Sequence, residues 1–276
     1  MTNGECEAVP NFCLNEFRES EGIEVLVPLP MKSIVRLVVC SLLPITLGQH
    51  ALADNLPQFR PALLGHHTKS LINTIDTQML LKRGQGDGFV MFGCGVSQSG
   101  VGYWSRTYRC SPNTELLQKE VLGRIDQAIF EPAVYKGSRV AVYLMGAVVF
   151  VVRDGKPHLR IFLHQEEDDL KKGNDFIAPQ FAFAPGNTKF DGIYYPPQAP
   201  GRPGLASLRL KVDEMGVVQG ASVTYEHPPG MGFGAQAVGP IRDAAFIPGF
   251  RNGKPVSCQF NWTIIFTGPG RQMKTG

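Results

Sequence analysis

The sequence predicts an α+β protein with two copies of one unit, each a three-stranded antiparallel sheet with a helix packed on one face, in the order strand, strand, helix, strand. Three observations support this fold class. Residues 88–152 match residues 204–267 without a gap at a spacing of 116. Segments of both copies carry apolar residues at every second position, the period of a half-buried strand. An apolar stripe at steps of four follows the second strand of the first copy, as in an amphipathic helix.

The matches between the two copies fall at turns and at apolar positions. These are the places where a shared backbone demands the same residue types, so the spacing indicates duplication of one supersecondary unit. The matched pairs are Val96 and Val212, Gly100 and Gly216, Val101 and Val217, Ala128 and Ala244, Phe130 and Phe246, Pro132 and Pro248, Gly137 and Gly253, Val140 and Val256, and Phe150 and Phe266.

The overall composition is that of a folded globular protein. With 43% hydrophobic and 18% charged residues, the 276-residue chain is neither wholly disordered nor a polytopic membrane protein. The net charge of +3 is too small to indicate a nucleic acid as the main partner. The 31 glycines and 21 prolines disfavour an all-helical bundle.

Residues 31–53 have the pattern of a secretory signal peptide: a basic start, an apolar run at 37–47 and a small-residue cleavage site that ends at Ala53. Met31 is then the expected initiator, and residues 1–30 an upstream extension from a misassigned start. The alternative is an uncleaved anchor in the inner membrane, although the run is shorter than the ~20 residues that a membrane-spanning helix needs. We therefore expect a periplasmic protein.

Downstream of the leader, the sequence divides into five parts. Apolar residues at steps of four predict a helix that ends at Gly84, and six prolines make the segment between the two units rich in loops. The predicted parts are an N-terminal helix and linker at 54–87, a first unit with an extra strand at 88–164, a loop-rich linker at 165–203, a second unit at 204–267 and a flexible tail at 268–276.

In the first copy, two strands on either side of Ser99-Gly100 form a predicted hairpin. The helix that follows is expected to end at Pro132. The final strand is apolar on both sides, so both sides should be covered. A turn at Asp154-Gly155 then leads into Leu159–Leu163, an added strand that we expect to pair with the edge of the final strand. The apolar stripe of the helix consists of Leu117, Val121, Ile125 and Ile129.

In the second copy, alternation in Leu208–Val212 and a turn at Asp213–Gly216 predict the same hairpin. Pro240 is expected to break the second helix, because proline in a helix interior costs about 3 kcal/mol. The final strand has the clearest alternation of apolar and polar residues in the chain, which predicts one buried side and one solvent-exposed side. Its apolar side consists of Val256, Cys258, Phe260, Trp262, Ile264 and Phe266, and its polar side of Ser257, Gln259, Asn261 and Thr263.

Residues that could carry chemistry are few. Cys94 and Cys110 lie on neighbouring predicted strands and form the expected disulfide, leaving Cys258 over; the alternative is three small buried residues. His66-His67 and His164–Asp169 read as solvated loops rather than as metal ligands. Ser97-Gln98-Ser99-Gly100 lacks the spacing of a nucleophile elbow. We therefore predict no enzyme activity, no cofactor and no metal.

The second copy resembles the C-terminal periplasmic domain of TonB-type energy transducers, and the first copy resembles it more weakly through the repeat. The stretch from Asn252 to Val256, between the helix and the final strand, is the most specific part of the likeness. The other matching residues are Tyr195-Pro196-Pro197, Gly204 and Val212–Val217. The motif residues carried over from the family are Phe246, Pro248, Asn252, Gly253, Lys254 and Pro255.

The resemblance implies binding of an extended peptide by strand addition, as TonB-like domains do with the short box of an outer-membrane receptor. An unpaired strand edge offers its backbone N–H and C=O groups to such a partner. The first copy is expected to fill its own edge, so the open edge should belong to the second copy. The predicted partner-binding residues are Val256, Ser257, Cys258, Gln259, Phe260, Asn261, Trp262, Thr263 and Ile264.

Two ways in which the edge of the second copy could be covered stay open. Residues 165–200 or a second subunit of a homo-oligomer could cover the edge. The protein would then be a structural or assembly factor of the cell envelope without energy coupling. In either case the expected partner is a protein or peptide, with an outer-membrane receptor as one candidate, and not a nucleic acid.

Overall fold

The computed structural model describes residues 56–163, 176–183, 185–186 and 189–266. Within these residues the fold is α+β, as predicted, and every pair of hydrogen-bonded strands is antiparallel. The predicted signal peptide, the upstream extension, the His164–Asp169 loop and the C-terminal tail lie outside the described residues. In the described part of the chain, every helix is too short to cross a membrane.

The elements follow one another in two similar series. The first half contains β1 (Phe59–Arg60), α1 (Leu71–Thr74), α2 (Thr77–Lys82), β2 (Gly88–Val96), β3 (Gly102–Cys110), α3 (Glu115–Ile125), β4 (Ala133–Tyr135), β5 (Ser138–Val140), β6 (Val142–Arg153) and β7 (Lys156–Leu163). The second contains β8 (Phe176–Ile177), β9 (Gln180–Ala182), β10 (Gly204–Val212), β11 (Val218–His227), α4 (Phe233–Ile241), β12 (Phe246–Ile247), β13 (Gly249–Arg251), β14 (Lys254–Val256) and β15 (Cys258–Phe266).

The main sheet of the first copy is larger than the three strands and one added strand predicted. β2 lies between β3 and β6, and β7 pairs with β6 as the added strand that the sequence indicated. β9 also pairs with β6, and β12 pairs with β9, which extends the sheet to six strands. The 165–203 segment is therefore more than a loop, because it supplies β8 and β9. Strands of two and three residues are too short to leave a periodic signal in a sequence.

The second copy forms the three-stranded sheet β11-β10-β15. α4 packs on β10 and β11, just as α3 packs on β2 and β3. A small hairpin stands between the helix and the final strand in both copies, β4-β5 in the first and β13-β14 in the second. The sequence did not indicate either hairpin as a separate element.

Strand register recurs in the two copies at the spacing of 116 residues. Gly88 lies opposite Phe150 in the first copy, and Gly204 lies opposite Phe266 in the second. At the other end of the same strands, Val96 lies opposite Val142 and Val212 opposite Cys258. The isolated bridges also correspond, since Val101 pairs with Ile129 and Val217 with Ala245. Register of this kind is a property of backbone pairing, so the repeated residues occupy equivalent positions.

The turn glycines of the two copies make equivalent close contacts. Gly100 has φ +87° and Gly216 has φ +80°, a region that side chains with a Cβ rarely adopt. The Gly100 carbonyl accepts the Phe130 N–H at 2.8 Å, and the Gly216 carbonyl accepts the Phe246 N–H at 3.1 Å. Each turn is thereby bonded to the phenylalanine of the Phe-x-Pro motif, which explains why these glycines and phenylalanines match.

The helices differ from the sequence expectation at their ends. α3 ends at Ile125 rather than at Pro132, because Ile129 leaves the helix to bridge Val101. α4 is continuous and is not broken by Pro240. That proline is the penultimate helical residue, so the loss of its N–H affects only the last turn. The predicted N-terminal helix is two short helices, α1 and α2, separated at Ile75, whose backbone is extended.

N–H groups at the start of two helices donate hydrogen bonds to side chains outside the helix. The Glu226 carboxylate accepts the N–H groups of Gly232 and Gly234, both at 2.8 Å, at the start of α4. The buried Gln85 side chain accepts the Leu117 N–H at 3.1 Å in the first turn of α3. These contacts satisfy N–H groups that have no partner within the helix.

Two apolar cores lie on opposite faces of β6. Val142, Leu144 and Val148 belong to the first core, which α3 covers, and Tyr143 and Met145 belong to the second. The prediction that both sides of this strand are covered is thus confirmed. The second core also contains the buried faces of β10, β15 and α4, so one strand of the first copy contributes to the core of the second.

The predicted disulfide between Cys94 and Cys110 is absent from the structure. Cys110 lies opposite Val90, while Cys94 is four residues further along the same strand. At ~3.3 Å per residue the two are separated by about 13 Å along the strand, whereas bridged cysteines have Cα atoms less than ~7 Å apart. The prediction was wrong because neighbouring strands do not by themselves bring two residues into register.

Candidate functional site: the outer edge of β15

β15 pairs with β10 along its whole length. The register runs from Cys258 opposite Val212 to Phe266 opposite Gly204, without a shift. On the side of β15 that faces away from β10, here called the β15 edge, no strand pairs with it among the described residues. β8 and β9, from the segment considered as a cover, pair with β13, β6 and β12 instead.

The predicted binding strand begins two residues later than expected. Val256 belongs to β14, where it pairs with Gly249, and Ser257 lies between the two strands. The edge strand therefore comprises Cys258–Phe266, and the predicted residues Val256 and Ser257 are not part of it. The first copy has the same interruption at Ala141, between β5 and β6.

The alternation of β15 corresponds to burial. The side chains of Phe260, Trp262, Ile264 and Phe266 are at most 5% exposed. Trp262 stacks on Phe181, with ring centroids 5.5 Å apart, and meets Phe246 edge-on at 5.7 Å. One face of the strand is therefore anchored in the second core, which holds its edge in place.

The opposite face of the strand is uncharged and, apart from Ile265, polar. Gln259 and Asn261 are exposed, and the Thr263 hydroxyl lies 3.0 Å from the Ser207 hydroxyl on β10. Arg209 on β10 donates its Nε–H to Asn261 Oδ1 at 3.4 Å. Lys211, also exposed, lies opposite Gln259. Positive charge therefore lies one strand in from the β15 edge.

Among the described residues, the three other edge strands of eight residues or more, β3, β7 and β11, carry features that discourage strand addition. The register of β3 against β2 shifts at Tyr108, and that of β11 against β10 shifts at the equivalent residue, Thr224. Such bulges twist a strand away from a flat partner. β7 contains Pro157 and three basic side chains, those of Lys156, His158 and Arg160, and proline and lysine protect edges in the same way. β15 has no bulge, proline or charge.

Of the six family-motif residues, two lie in the buried Phe-x-Pro segment and four are exposed residues of the β13–β14 hairpin. Phe246 and Pro248 are buried, and the Phe246 ring contacts the Phe260 ring at 5.8 Å. Asn252 and Gly253 have φ +50° and +71° and join β13 to β14. Positive φ at both central residues is typical of a two-residue hairpin turn, for which Asn-Gly is the favoured pair. Lys254 and Pro255 begin the returning strand β14.

Two cysteine thiols and one tyrosine hydroxyl, one of the thiols on β15 itself, have pKa values raised by burial. Burial raises the pKa of the Cys94 thiol, and the nearby Asp126 charge adds to the rise. Burial also raises the pKa of the Cys258 thiol to about 11, against the lowering effects of a Gly249 backbone hydrogen bond and of Arg251. Burial raises the pKa of Tyr143, although the Arg106 guanidinium opposes it. Thiols with raised pKa values are poor nucleophiles at neutral pH.

A shallow pocket of about 240 Å³ brings together several residues that the sequence had singled out. It is lined by His66, His67, Ser99, Glu131 and Arg139, among others. His67 Nδ1 accepts the Lys69 N–H at 3.0 Å, the Ser99 and Ser97 hydroxyls lie 2.9 Å apart, and Glu131 pairs with Arg60 at 2.8 Å. The first two contacts each join residues two positions apart and are typical of a solvated turn. Across the described residues, no three His, Cys, Asp or Glu side chains form a group that could hold a metal ion.

Sequence reasoning missed two contributors to the site. Phe181, which stacks on Trp262, lies in the linker, where a three-residue strand leaves no pattern. Arg209 and Lys211 were identified only as the polar face of β10, and their position beside the edge depends on the register.

Comparison of the sequence with protein-family models finds no match, and comparisons with curated proteins and with solved structures find none either.

Proposed function

We propose that this chain is a periplasmic protein-interaction module that binds an extended peptide by strand addition at the β15 edge. In this proposal the two copies are tandem units resembling the TonB C-terminal domain. The partner is a peptide or protein, with an outer-membrane receptor as the leading candidate, and the process served is TonB-type transport across the outer membrane. The protein acts by contact and not by chemistry.

The observation that carries the proposal is the unprotected edge of β15. A strand with regular register and one buried face holds its outward N–H and C=O groups in a fixed row, and no strand among the described residues pairs with that side. Main-chain hydrogen bonds then supply affinity, and pockets for alternate side chains supply specificity. The bulges in β3 and β11 and the charges in β7 leave β15 as the edge best suited to a guest.

A structural or assembly role in the cell envelope is the second candidate. It is favoured by the observation that β7 and β9 fill the equivalent edge of β6 from within the chain. In such a factor the β15 edge would be covered by the chain itself or by a second copy. This candidate requires no energy coupling.

The proposal is tested by selecting peptides and then altering the backbone of the edge. Random nine-residue peptides displayed on phage are panned against the full chain, and calorimetry measures the affinity of the enriched peptides. We expect Gln259→Pro and Asn261→Pro to weaken binding by about tenfold or more, since each removes an N–H and distorts the strand. Gln259→Ala and Asn261→Ala, which keep the N–H, are the matched controls and should change affinity less than about threefold.

Thermal unfolding shows whether the proline variants remain folded. If either proline variant unfolds, amide hydrogen exchange of the unmodified chain is measured with and without peptide instead. A bound peptide should slow exchange within Cys258–Phe266. Enrichment of no peptide, equal affinity for the wild-type chain and both proline variants, or peptide-induced protection confined to other strands would each contradict the proposal.

A further inference from the structure

We propose that the guest of the β15 edge runs antiparallel to β15 and is an apolar–acidic segment. Its apolar side chains face the second core, and its acidic side chains lie opposite Gln259 and Asn261. This inference rests on the proposed function and adds the direction and the chemical class of the partner. The supporting observation is that other strands of this chain already pair with the equivalent edge in the first copy, so the chain contains a filled version of the β15 edge.

The filled version is the edge of β6, the strand of the first copy equivalent to β15. Gly88–Val96 pairs with β6 in the register in which Gly204–Val212 pairs with β15. On its other side, β6 receives β7 in antiparallel register, from Gly146 opposite Leu163 to Arg153 opposite Lys156. At the spacing of 116, Gly146 corresponds to Trp262 and Phe150 corresponds to Phe266.

The beginning of β6 is filled as well. Val142 lies opposite Ala182 and Tyr143 opposite Phe181, again antiparallel. Their equivalents in the second copy are Cys258 and Gln259. Both segments that fill the edge run in the same direction, although they come from different parts of the chain. An antiparallel guest of β15 therefore begins near Phe266 and ends near Cys258.

The side chains of β7 give the apolar part of the pattern. Leu159, Ile161 and Leu163 extend the first core, and Leu163 is only 9% exposed. Their counterparts in a guest lie opposite Phe266, Ile264 and Trp262, on the buried side of β15. Side chains directly opposite on one face of an antiparallel pair are in contact. Apolar residues at these three alternate positions would extend the second core beyond its present edge.

The charge pattern comes from the polar face. Arg209 and Lys211 on β10 share this face with Asn261 and Gln259, and neither β10 nor β15 contains an acidic residue. A guest strand would lie about two strand spacings, roughly 10 Å, from β10. Long basic side chains span much of that distance, and Arg209 already reaches the edge strand through Asn261. Asp213, two residues after Lys211, accepts hydrogen bonds from Met215, Val217 and Gln219.

A designed peptide tests the direction. Leu-Thr-Ile-Thr-Leu-Glu-Val-Glu-Ala places its first residue opposite Phe266 and its two glutamates opposite Asn261 and Gln259 when it runs antiparallel. The reversed sequence places the same side chains at the same positions only when it runs parallel. We expect the designed peptide to bind the full chain at least about tenfold more tightly than the reversed one. A spin label at its N-terminus should broaden the amide signal of Phe266, and a C-terminal label that of Cys258.

Variants of the chain test the charge. Arg209→Gln with Lys211→Gln should weaken the designed peptide about tenfold and leave a peptide with glutamine in place of both glutamates unchanged. Lys156→Gln with Arg160→Gln, which removes two exposed charges from β7, is the control and should change neither affinity. Raising the salt concentration should weaken only the glutamate peptide.

The outcomes separate this inference from the proposed function. Any one of four results overturns the inference. The designed peptide does not bind, the reversed sequence binds equally or more tightly, the pattern of signal broadening is reversed, or replacing both glutamates with glutamine leaves the affinity unchanged. If library-selected peptides still protect β15 amides, the proposed function stands without it. If neither the designed peptide nor any selected peptide affects β15, both are overturned.

Discussion

Replacing Gln180 with leucine is expected to lower the free energy of unfolding by about 2–5 kcal/mol. Gln180 and Ala62 are both fully buried. The Gln180 side chain accepts the Ala62 N–H at 2.7 Å and donates to the Ala62 carbonyl at 3.0 Å. Leucine has similar bulk but leaves both backbone groups buried without these partners, and each such group costs about 1–3 kcal/mol.

Equilibrium denaturation with urea measures this effect. Gln219→Leu is the matched control, because Gln219 is exposed and donates a hydrogen bond to Asp213 at the surface, and surface changes of this kind usually cost under about 1 kcal/mol. A loss at Gln180 no greater than the loss at Gln219 would mean that the Ala62 peptide finds other partners. The attachment of the N-terminal segment to β9 would then not depend on this side chain.

Replacing Gly216 with alanine is expected to destabilise the chain by about 3 kcal/mol or more. Its φ of +80° disfavours alanine by about 1–2 kcal/mol. An added Cβ would also overlap the Phe246 carbonyl oxygen, and backbone cannot move aside as a flexible side chain does. A Cβ at Gly100 would overlap the Phe130 carbonyl oxygen in the same way. Equivalent geometry predicts that Gly100→Ala and Gly216→Ala cost similar amounts.

Gly253→Ala separates the two causes. Gly253 has φ +71°, but nothing lies within 4 Å of an added Cβ. Its substitution should cost only the conformational part, about 1–2 kcal/mol. Urea denaturation of the three variants provides the comparison. Equal losses at Gly216 and Gly253 would show that the close approach to Phe246 contributes nothing, and unequal losses at Gly100 and Gly216 would contradict the equivalence of the two turns.

The strands with one buried face were predictable because burial imposes a period of two on the sequence. In β10, Leu208, Leu210 and Val212 alternate with Arg209 and Lys211, and the structure buries the apolar set completely. The same reasoning applied to β15, and it placed Phe260, Trp262 and Ile264 on the buried side as the structure does. Duplication added a second, independent reason for the positions of the turn glycines.

Register, short strands and long-range contacts were not predictable in this way. The Cys94–Cys110 disulfide was expected from proximity of strands, yet four residues of register separate the two thiols. The Asn252-Gly253 turn has a known two-residue hairpin pattern, but only three residues follow it in β14, too few to stand out as a strand. The hydrogen bonds of Gln180 to Ala62 join residues 118 positions apart, and no local pattern signals such a contact.

The site itself was partly predictable. The polar and apolar sides of the binding strand follow from its own residues, but the position of its edge depends on where residues 176–182 pair. The three residues of β9 carry no pattern that indicates which strand they join. Its pairing with β6 and β12 fills the edge of the first copy and leaves that of the second without a partner strand among residues 56–163, 176–183, 185–186 and 189–266.

Residue-resolved amide hydrogen exchange along β15 in the full chain without added peptide tests the open edge most directly. Successive residues of an antiparallel strand point their N–H groups to opposite sides. Amides bonded to β10 should therefore exchange slowly, and the intervening ones, which face the β15 edge, should exchange quickly. We expect this alternation from Gln259 to Ile265. Uniformly slow exchange over the same residues would mean that another strand, from this chain or a second copy, already covers the edge.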